Sequence, residues 1–458
     1  MGRPSPELSM VSKISASTGV ANLLAEHVLH LESTDLSPHT RDIVLCCLLD
    51  LLGAAAAALR HPGVAAARAV APSLYGAGDC PIWFSGTTAN TCAALLANSN
   101  AAAALDLDDG YRPARGHPGA AVIPAALAML SWPGVTAEQL MLAIVAGYEA
   151  GVRMSMGRHA YAPSGAWSPY AVIATIGRLQ SCDAHAMAQA FGIAAQTAPA
   201  LPALAGMAGS DVKEGIAAGV VAGYTALQLA AAGFTGPAPV LDDPALFAGA
   251  RIVDGLGDRP LIEGTYFKPY GCCRHIHGAL DAFALLQRQH ALRPEDIDVI
   301  EVHTYRATFN LANRARPNDL VDAQYSVPHC LAVLACHGST ALLPLHRQHL
   351  ADAAVHAMAQ RVSVHHDASI EPLFPQRSPS WVRVRLRQGE PLCSPLTDPR
   401  GDPADPLDWA QLREKFLTAS AATLDHQHQL AVITGVEALR EGHLQPLREA
   451  LGRAARLD

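Results

Sequence analysis

Lysine is scarce in this sequence, and two of its four lysines stand where a merely solubilising cation would be out of place. Lys268 lies in Tyr266-Phe-Lys-Pro-Tyr-Gly-Cys-Cys-Arg-His-Ile-His277, the densest cluster of reactive side chains in the chain. Lys213 lies in Ser210-Asp-Val-Lys-Glu-Gly215, just before the apolar run Ile216 to Ala232. An ammonium is a compact point charge that suits a carboxylate oxygen. Two of them in such settings point to a pocket for a small anion carrying several carboxylates. Lys13 and Lys415, near the chain ends, read as ordinary polar-surface lysines.

A second constellation is Leu105-Asp-Leu-Asp-Asp-Gly-Tyr-Arg-Pro-Ala-Arg-Gly-His117-Pro-Gly119. Asp106, Asp108 and Asp109 end an alanine-rich helical stretch, where the helix dipole disfavours negative charge, so a cation or N–H donors must offset them. His117 occupies a Gly-His-Pro-Gly turn, and an imidazole held there suits proton transfer near neutral pH. Arg274, His275 and His277 add a guanidinium and imidazoles to the Lys268 segment, and Cys272 and Cys273 add thiols. The stretch Arg158 to Trp167, with His159 and Tyr161, is a further candidate pocket wall. Metal readings are weak: His275-x-His277 and His365-His366-Asp367 lack zinc-site spacing, and adjacent Cys272 and Cys273 are poorly spaced for one ion or cluster. Neither a P-loop nor a Gly-x-Gly-x-x-Gly after a strand is present, so no cofactor is expected from these motifs.

The elements that must position these residues are mostly helical. Half of the 458 residues are apolar, 16% are charged and 5% are aromatic, which suits a large, alanine-lined core of close-packed helices. Ser37-Pro38 marks a helix start, followed by a helix over roughly 40–60 that stops before His61-Pro62-Gly63. The pattern then predicts helices over 87–107, 119–130, 137–156, 168–179, 184–196 and 216–232. After about residue 265 the character changes. Alternating stretches at 296–304, 360–365 and 381–387 predict strands, with helical segments near 278–289 and 328–337 between them. Helix returns after Asp408. The expected fold is mainly α: a large helical domain (1–265 plus 405–458) interrupted by a smaller inserted α+β lid domain (266–404). Residues 1–16 read as a loose polar arm. A net charge of −8 with no Lys/Arg run argues against nucleic-acid binding. The adjacent cysteine pairs, the lack of a recognisable leader and an apolar helix (43–59) short for a membrane span point to a reduced, cytoplasmic protein.

At these residues the chain resembles the MmgE/PrpD family, which includes 2-methylcitrate dehydratase, cis-aconitate decarboxylase and an iminodisuccinate epimerase. The markers, in order, are Leu49-Asp-Leu-Leu-Gly53, Asp106-Leu-Asp-Asp109 with His117-Pro118, Val145-Ala-Gly-Tyr-Glu149, Gly233-Phe-Thr-Gly-Pro237, Lys268 to His275, Tyr325-Ser-Val-Pro328 and Pro399-Arg-Gly-Asp-Pro403. The resemblance implies a homodimer without metal or organic cofactor that moves a proton beside a carboxylate of a small di- or tricarboxylate. It implies catalytic roles for Asp106, His117, Lys213 and Lys268, with Asp109 in the same motif; substrate contacts are expected for Asp109, Tyr161, Cys273, Arg274 and His275. The chain departs from the pattern at Gly110, usually threonine; Ala162, usually histidine; Gly271, usually proline; and Gln324, usually basic. A changed substrate is therefore expected.

The expectation is a cofactor-independent lyase that expels water or CO2. An epimerase or isomerase is the alternative, and a catalytically silent carboxylate-binding partner is a second one. The Asp106-Leu-Asp-Asp109 run also spells the DxDD motif of a terpene cyclase, but that chemistry wants an aromatic-lined cavity and few aromatics are available.

Overall fold

The computed structural model describes residues 19–200, 210–237 and 239–457, so the expected N-terminal arm lies outside the described residues. The chain is mainly helical. Its first half runs α1 (Val20–His30), α2 (Pro38–Ala57), α3 (Pro62–Tyr75), hairpin strands β1 (Cys80–Ile82) and β2 (Thr87–Ala89), α4 (Thr91–Ala103), the short β3 (Gly110–Tyr111) and α5 (Gly119–Ala128). It continues with α6 (Ala137–Met156), α7 (Ser168–Leu179), α8 (Ala184–Thr197), α9 (Ile216–Ala231), α10 (Gly249–Val253) and β4 (Thr265–Tyr266). The second half holds α11 (Arg274–His290), β5 (Ile297–Thr304), α12 (Leu320–Gln324), α13 (Val327–His337), α14 (Ala353–Ala359), β6 (Val362–His366), β7 (Trp381–Leu386) and β8 (Leu392–Cys393). The helices α15 (Trp409–Ser420), α16 (His426–Glu437) and α17 (Gln445–Gly452) close the chain.

Local chemistry sets most boundaries. Ser37 accepts from Thr40 N and Pro38 occupies the first helical turn, so α2 starts where a cap and a fixed φ coincide. Two expectations are corrected. Residues 87–89 pair with 80–82 as a hairpin, and the following helix begins at Thr91 because Asn90 caps Cys92 N. The His61-Pro62-Gly63 stop is also a start: the His61 ring accepts from Gly63 N and opens α3, which the sequence reading lacked, as it lacked α1.

Two apolar cores form. The larger spans Ala21 to Leu451, joining α1–α9 to α15–α17; Gly53 on α2 lets the Phe416 ring of α15 approach closely. The smaller lies between α11, α13 and the sheet ordered β6-β5-β7-β8, with Phe283, Ile300, Leu331 and Val382 fully buried. In that sheet β5 runs parallel to β6 and antiparallel to β7. The apolar stretch Pro38–Arg60 is longer than the sequence suggested and long enough to cross a membrane, but 83% of its apolar window is buried inside the protein. Its side chains are satisfied by neighbouring helices.

Candidate active site

The site is built where β3 meets β4. The two-residue ladder pairs Gly110 with Tyr266 and Tyr111 with Thr265. It sets the aspartate loop after α4 beside Lys268, two residues past Tyr266. Gly110 is required there: a Cβ on it would lie 2.2 Å from the Tyr266 hydroxyl oxygen. This accounts for one departure from the family pattern, since the phenol occupies the space that a side chain would take. A second ladder contact, Tyr111 N to Gly116 O at 2.9 Å, folds the loop back so that His117 faces the aspartates.

Asp106 is the hub. Its φ of +51° is unusual for a non-glycine residue and turns the chain out of α4. Its Oδ1 lies 2.7 Å from Lys268 Nζ, 3.4 Å from Lys213 Nζ and 3.6 Å from His117 Nε2. Lys268 Nζ also donates to the Asp106 carbonyl at 3.0 Å. Lys213 Nζ donates to the Tyr325 hydroxyl and, at 3.3 Å, to Gln324 Oε1. His117 Nδ1 donates to the Asp109 carbonyl at 3.0 Å and lies 3.2 Å from Asp108 Oδ2. This fixes the ring and leaves Nε2 facing Asp106 and, at 3.8 Å, Glu214 Oε1. Glu214, itself at φ +49°, is held by Ser164, whose N–H and hydroxyl both donate to Oε2.

The electrostatics follow from burial and partners. Burial works against ionisation of Asp106, but Lys213, Lys268 and His117 outweigh it and hold its carboxyl well below the usual carboxylate range. Burial likewise opposes charge on Lys268, and Asp106 and Asp108 reverse that, raising it above the ordinary amine value. For His117, burial favours the neutral ring and Lys268 adds to that. Asp108 and Glu214 prevail and raise it above the usual 6.5. Burial, with Asp106 next, pushes the Cys273 thiol up to about 12. Burial, then Arg112, pulls His275 down to about 4, so it is a neutral ring hydrogen-bonded to the Tyr305 hydroxyl at 2.7 Å.

These groups open onto a cavity of about 390 Å³. Of the residues expected from sequence, Asp106, His117, Lys268, Tyr161, Cys273, Arg274 and His275 stand on its wall. Two do not. Asp109 was expected to touch substrate, but its carboxyl accepts from Gly119 N at 2.9 Å and from the Tyr148 hydroxyl, away from the cavity. Burial pushes that carboxyl up to about 7. Lys213 is also off the wall, and its ammonium protons already have Asp106, Gln324 and Tyr325 as partners. Ala162, where the family pattern has histidine, lines only a larger outer hollow.

Three groups escaped the sequence reading. Glu214 and Tyr325 line the cavity, and neither was expected to contact substrate. Lys415, read as a surface residue, is buried: its Nζ lies 2.5 Å from Asp50 Oδ1 and donates to Leu107 O at 2.9 Å. The available signal was Asp50 itself, a lone charge in a long apolar helix that could not stay there without a countercharge.

Asp106, Asp108 and His117 bring their ligand atoms within 4.8 Å of one another, close enough in principle to hold a metal ion. The donor set argues otherwise. Two lysine ammoniums already crowd Asp106 Oδ1, and a divalent cation beside them would be repelled. The cluster is better suited to holding and moving a proton next to bound negative charge.

The chain matches known proteins over most of its length. The MmgE/PrpD N-terminal domain matches residues 22–253 and the MmgE/PrpD C-terminal domain matches residues 270–441. A cis-aconitate decarboxylase of Aspergillus terreus (strain NIH 2624 / FGSC A1156) is 24% identical over 459 residues, covering 90% of this chain and 91% of the relative. A second Aspergillus terreus cis-aconitate decarboxylase is 24% identical over 485 residues, covering 95% and 96%.

Proposed function

The chain belongs to the MmgE/PrpD family, and on that footing we propose that it is a lyase that breaks a bond next to a carboxylate of a small substrate, releasing water or CO2. The observation that carries this reading is the convergence of Lys268, Asp106 and the His117–Asp108 pair on one cavity.

Each group has a separable task. A lysine ammonium has three protons, and Lys268 uses two, on the carbonyl and carboxylate of Asp106. The third is free to meet a substrate carboxylate. There it stabilises the enediolate-like charge that develops when the neighbouring C–H or C–CO2 bond breaks, and it does so in a preorganised, largely dry site. His117, whose proton is held more tightly through Asp108, offers its Nε2 proton to the leaving oxygen or to the carbon left by CO2. Glu214, whose Oε1 lies 3.8 Å from His117 Nε2, takes the proton from the α-carbon. Lys213 acts through others, holding Asp106 and Tyr325 in place.

In this reading the part built on the smaller core serves as the lid, since Cys273, Arg274, His275 and Tyr325 on the cavity wall come from it. Residues 1–265 and 405–458 form the helical body. The enzyme works as a cytoplasmic homodimer and needs no added cofactor. The substrate differs from that of the decarboxylase relatives. Gly110 and Ala162 offer the cavity neither the hydroxyl nor the imidazole usual at those places, so fewer polar groups can be satisfied.

An epimerase would use the same Glu214 and His117 pair without expelling a group. Proton NMR in D2O with a panel of small carboxylates separates the two. Deuterium at an α-carbon together with new vinyl signals supports the lyase; deuterium alone supports the epimerase. Absence of exchange across citrate-, succinate- and aconitate-like acids, with the protein folded, counts against both.

A further inference from the structure

Cations on the wall of the inner cavity are nearly all committed. Lys268 serves Asp106. Arg112 and Arg274 share Asp402, at 2.5 Å and 2.7 Å, and Arg274 also donates to the Pro399 and Arg400 carbonyls. His117 lies against Asp108. Arg115 differs. Among the described residues its guanidinium has no hydrogen bond or ion pair, and it lies over the face of the Tyr161 ring, 5.6 Å from the centroid.

Its position is nonetheless fixed by the backbone. Arg115 has φ +52° and donates its N–H to Arg112 O at 3.0 Å, inside the turn closed by the Tyr111–Gly116 contact. That turn sets the side chain at the junction of the inner cavity and the outer hollow, since it lines both. The same wall includes Ala307, Phe374 and Pro375, which offer no charge. The wall carries the carboxylates of Asp106 and Glu214 against Arg112, Arg115, Lys268 and Arg274, so it retains positive charge for a ligand to neutralise.

We infer that Arg115 receives a second carboxylate of the substrate at the cavity mouth, separated from the reacting carboxylate by an apolar segment lying on Phe374 and Pro375. This rests on the lyase reading for the reacting end and adds how the far end is recognised. A guanidinium takes a carboxylate through two parallel N–H···O bonds, and stacking on Tyr161 would keep its plane oriented. Selectivity then follows from the span between the two carboxylates rather than from their number alone.

Calorimetry at low salt tests this, with chain-matched pairs of mono- and dicarboxylic acids of increasing length as probes, on wild type, Arg115→Gln and Arg115→Lys. The wild type should bind the best-fitting dicarboxylate at least ~10-fold more tightly than its monocarboxylate, a typical effect of a charge-assisted pair. Arg115→Gln should lose that preference while its monocarboxylate affinity stays unchanged, and Arg115→Lys should keep part of it. Arg115→Gln retaining the full preference overturns the inference and leaves the lyase reading standing. A wild type that binds no acid, and exchanges no α-proton, overturns both. Arg115 is exposed and its guanidinium has no hydrogen bond or ion pair among the described residues, so the unfolding midpoint should be unmoved.

Discussion

Two buried lysine–aspartate pairs sit under the same loop, and successive peptide carbonyls divide them. The Asp106 carbonyl accepts from Lys268 and the Leu107 carbonyl from Lys415. The pairs have the same chemistry and almost the same depth, yet their titration is opposite. Asp106 is shifted down and Lys268 up, so both are firmly charged. Asp50 is shifted up and Lys415 down, because burial is the largest influence on each and a single partner does not offset it. The number of countercharges makes the difference: Asp106 meets two ammoniums and an imidazole, while Asp50 meets one ammonium and leaves Oδ2 without a hydrogen bond. Access differs too. Lys268 borders the His117 cavity, whereas Lys415 borders only a separate hollow of about 200 Å³. Burial of a lysine therefore does not by itself mark a site; Lys268 differs from Lys415 in opening onto the cavity that His117 also lines.

The largest effects should separate the two lysines. Lys268→Met should lower kcat on the order of 10³-fold, as loss of a preorganised charge at the reacting centre does, and should lower the unfolding midpoint less than loss of Lys415, because Lys213 and His117 still face Asp106. Steady-state kinetics and thermal unfolding check both halves. Lys415→Met should do the reverse in emphasis, costing roughly 3–5 kcal/mol of stability because Asp50 is left buried and unpaired. Denaturant unfolding measures that. A further Asp50→Asn in the Lys415→Met background should recover most of the loss, since an unpaired buried charge is worse than no pair. No recovery would mean that the pair acts through more than its charge.

A smaller effect concerns pH. The His117 pKa is raised, so its acid form persists above the usual 6.5 and is lost as pH rises through the folded value. A rate that depends on the imidazolium should fall on the alkaline side. Asp108→Asn removes the carboxylate that raises it and should move that limb to lower pH. An unmoved limb in the pH–rate profile would take Asp108 out of the account.

Much of this was legible before the structure. Helices over 137–156 and 168–179 were bounded to the residue because Thr136 and Pro169 announce their starts and the apolar period is unbroken. Asp106, His117 and Lys268 were found through residue type and turn context. What sequence missed depends on partners far along the chain. Lys415 and Asp50 are 365 residues apart, and Lys268 and Asp106 are 162 apart. Only the fold shows which carboxylate each ammonium meets. Glu214 was hidden because its φ of +49° turns it toward Ser164 and His117 rather than along the helix that follows. Asp109 was misassigned for the converse reason: it is one residue from Asp108, but its carboxyl turns into the helical core toward Tyr148.

The central claim is that His117 supplies the proton that accompanies bond breaking beside a substrate carboxylate. It is tested most directly by proton NMR in D2O on wild type and His117→Ala with the same acid. The account predicts vinyl product with the wild type, and its loss by about 10²- to 10⁴-fold in a folded His117→Ala protein. Vinyl product formed at the wild-type rate in His117→Ala would contradict it.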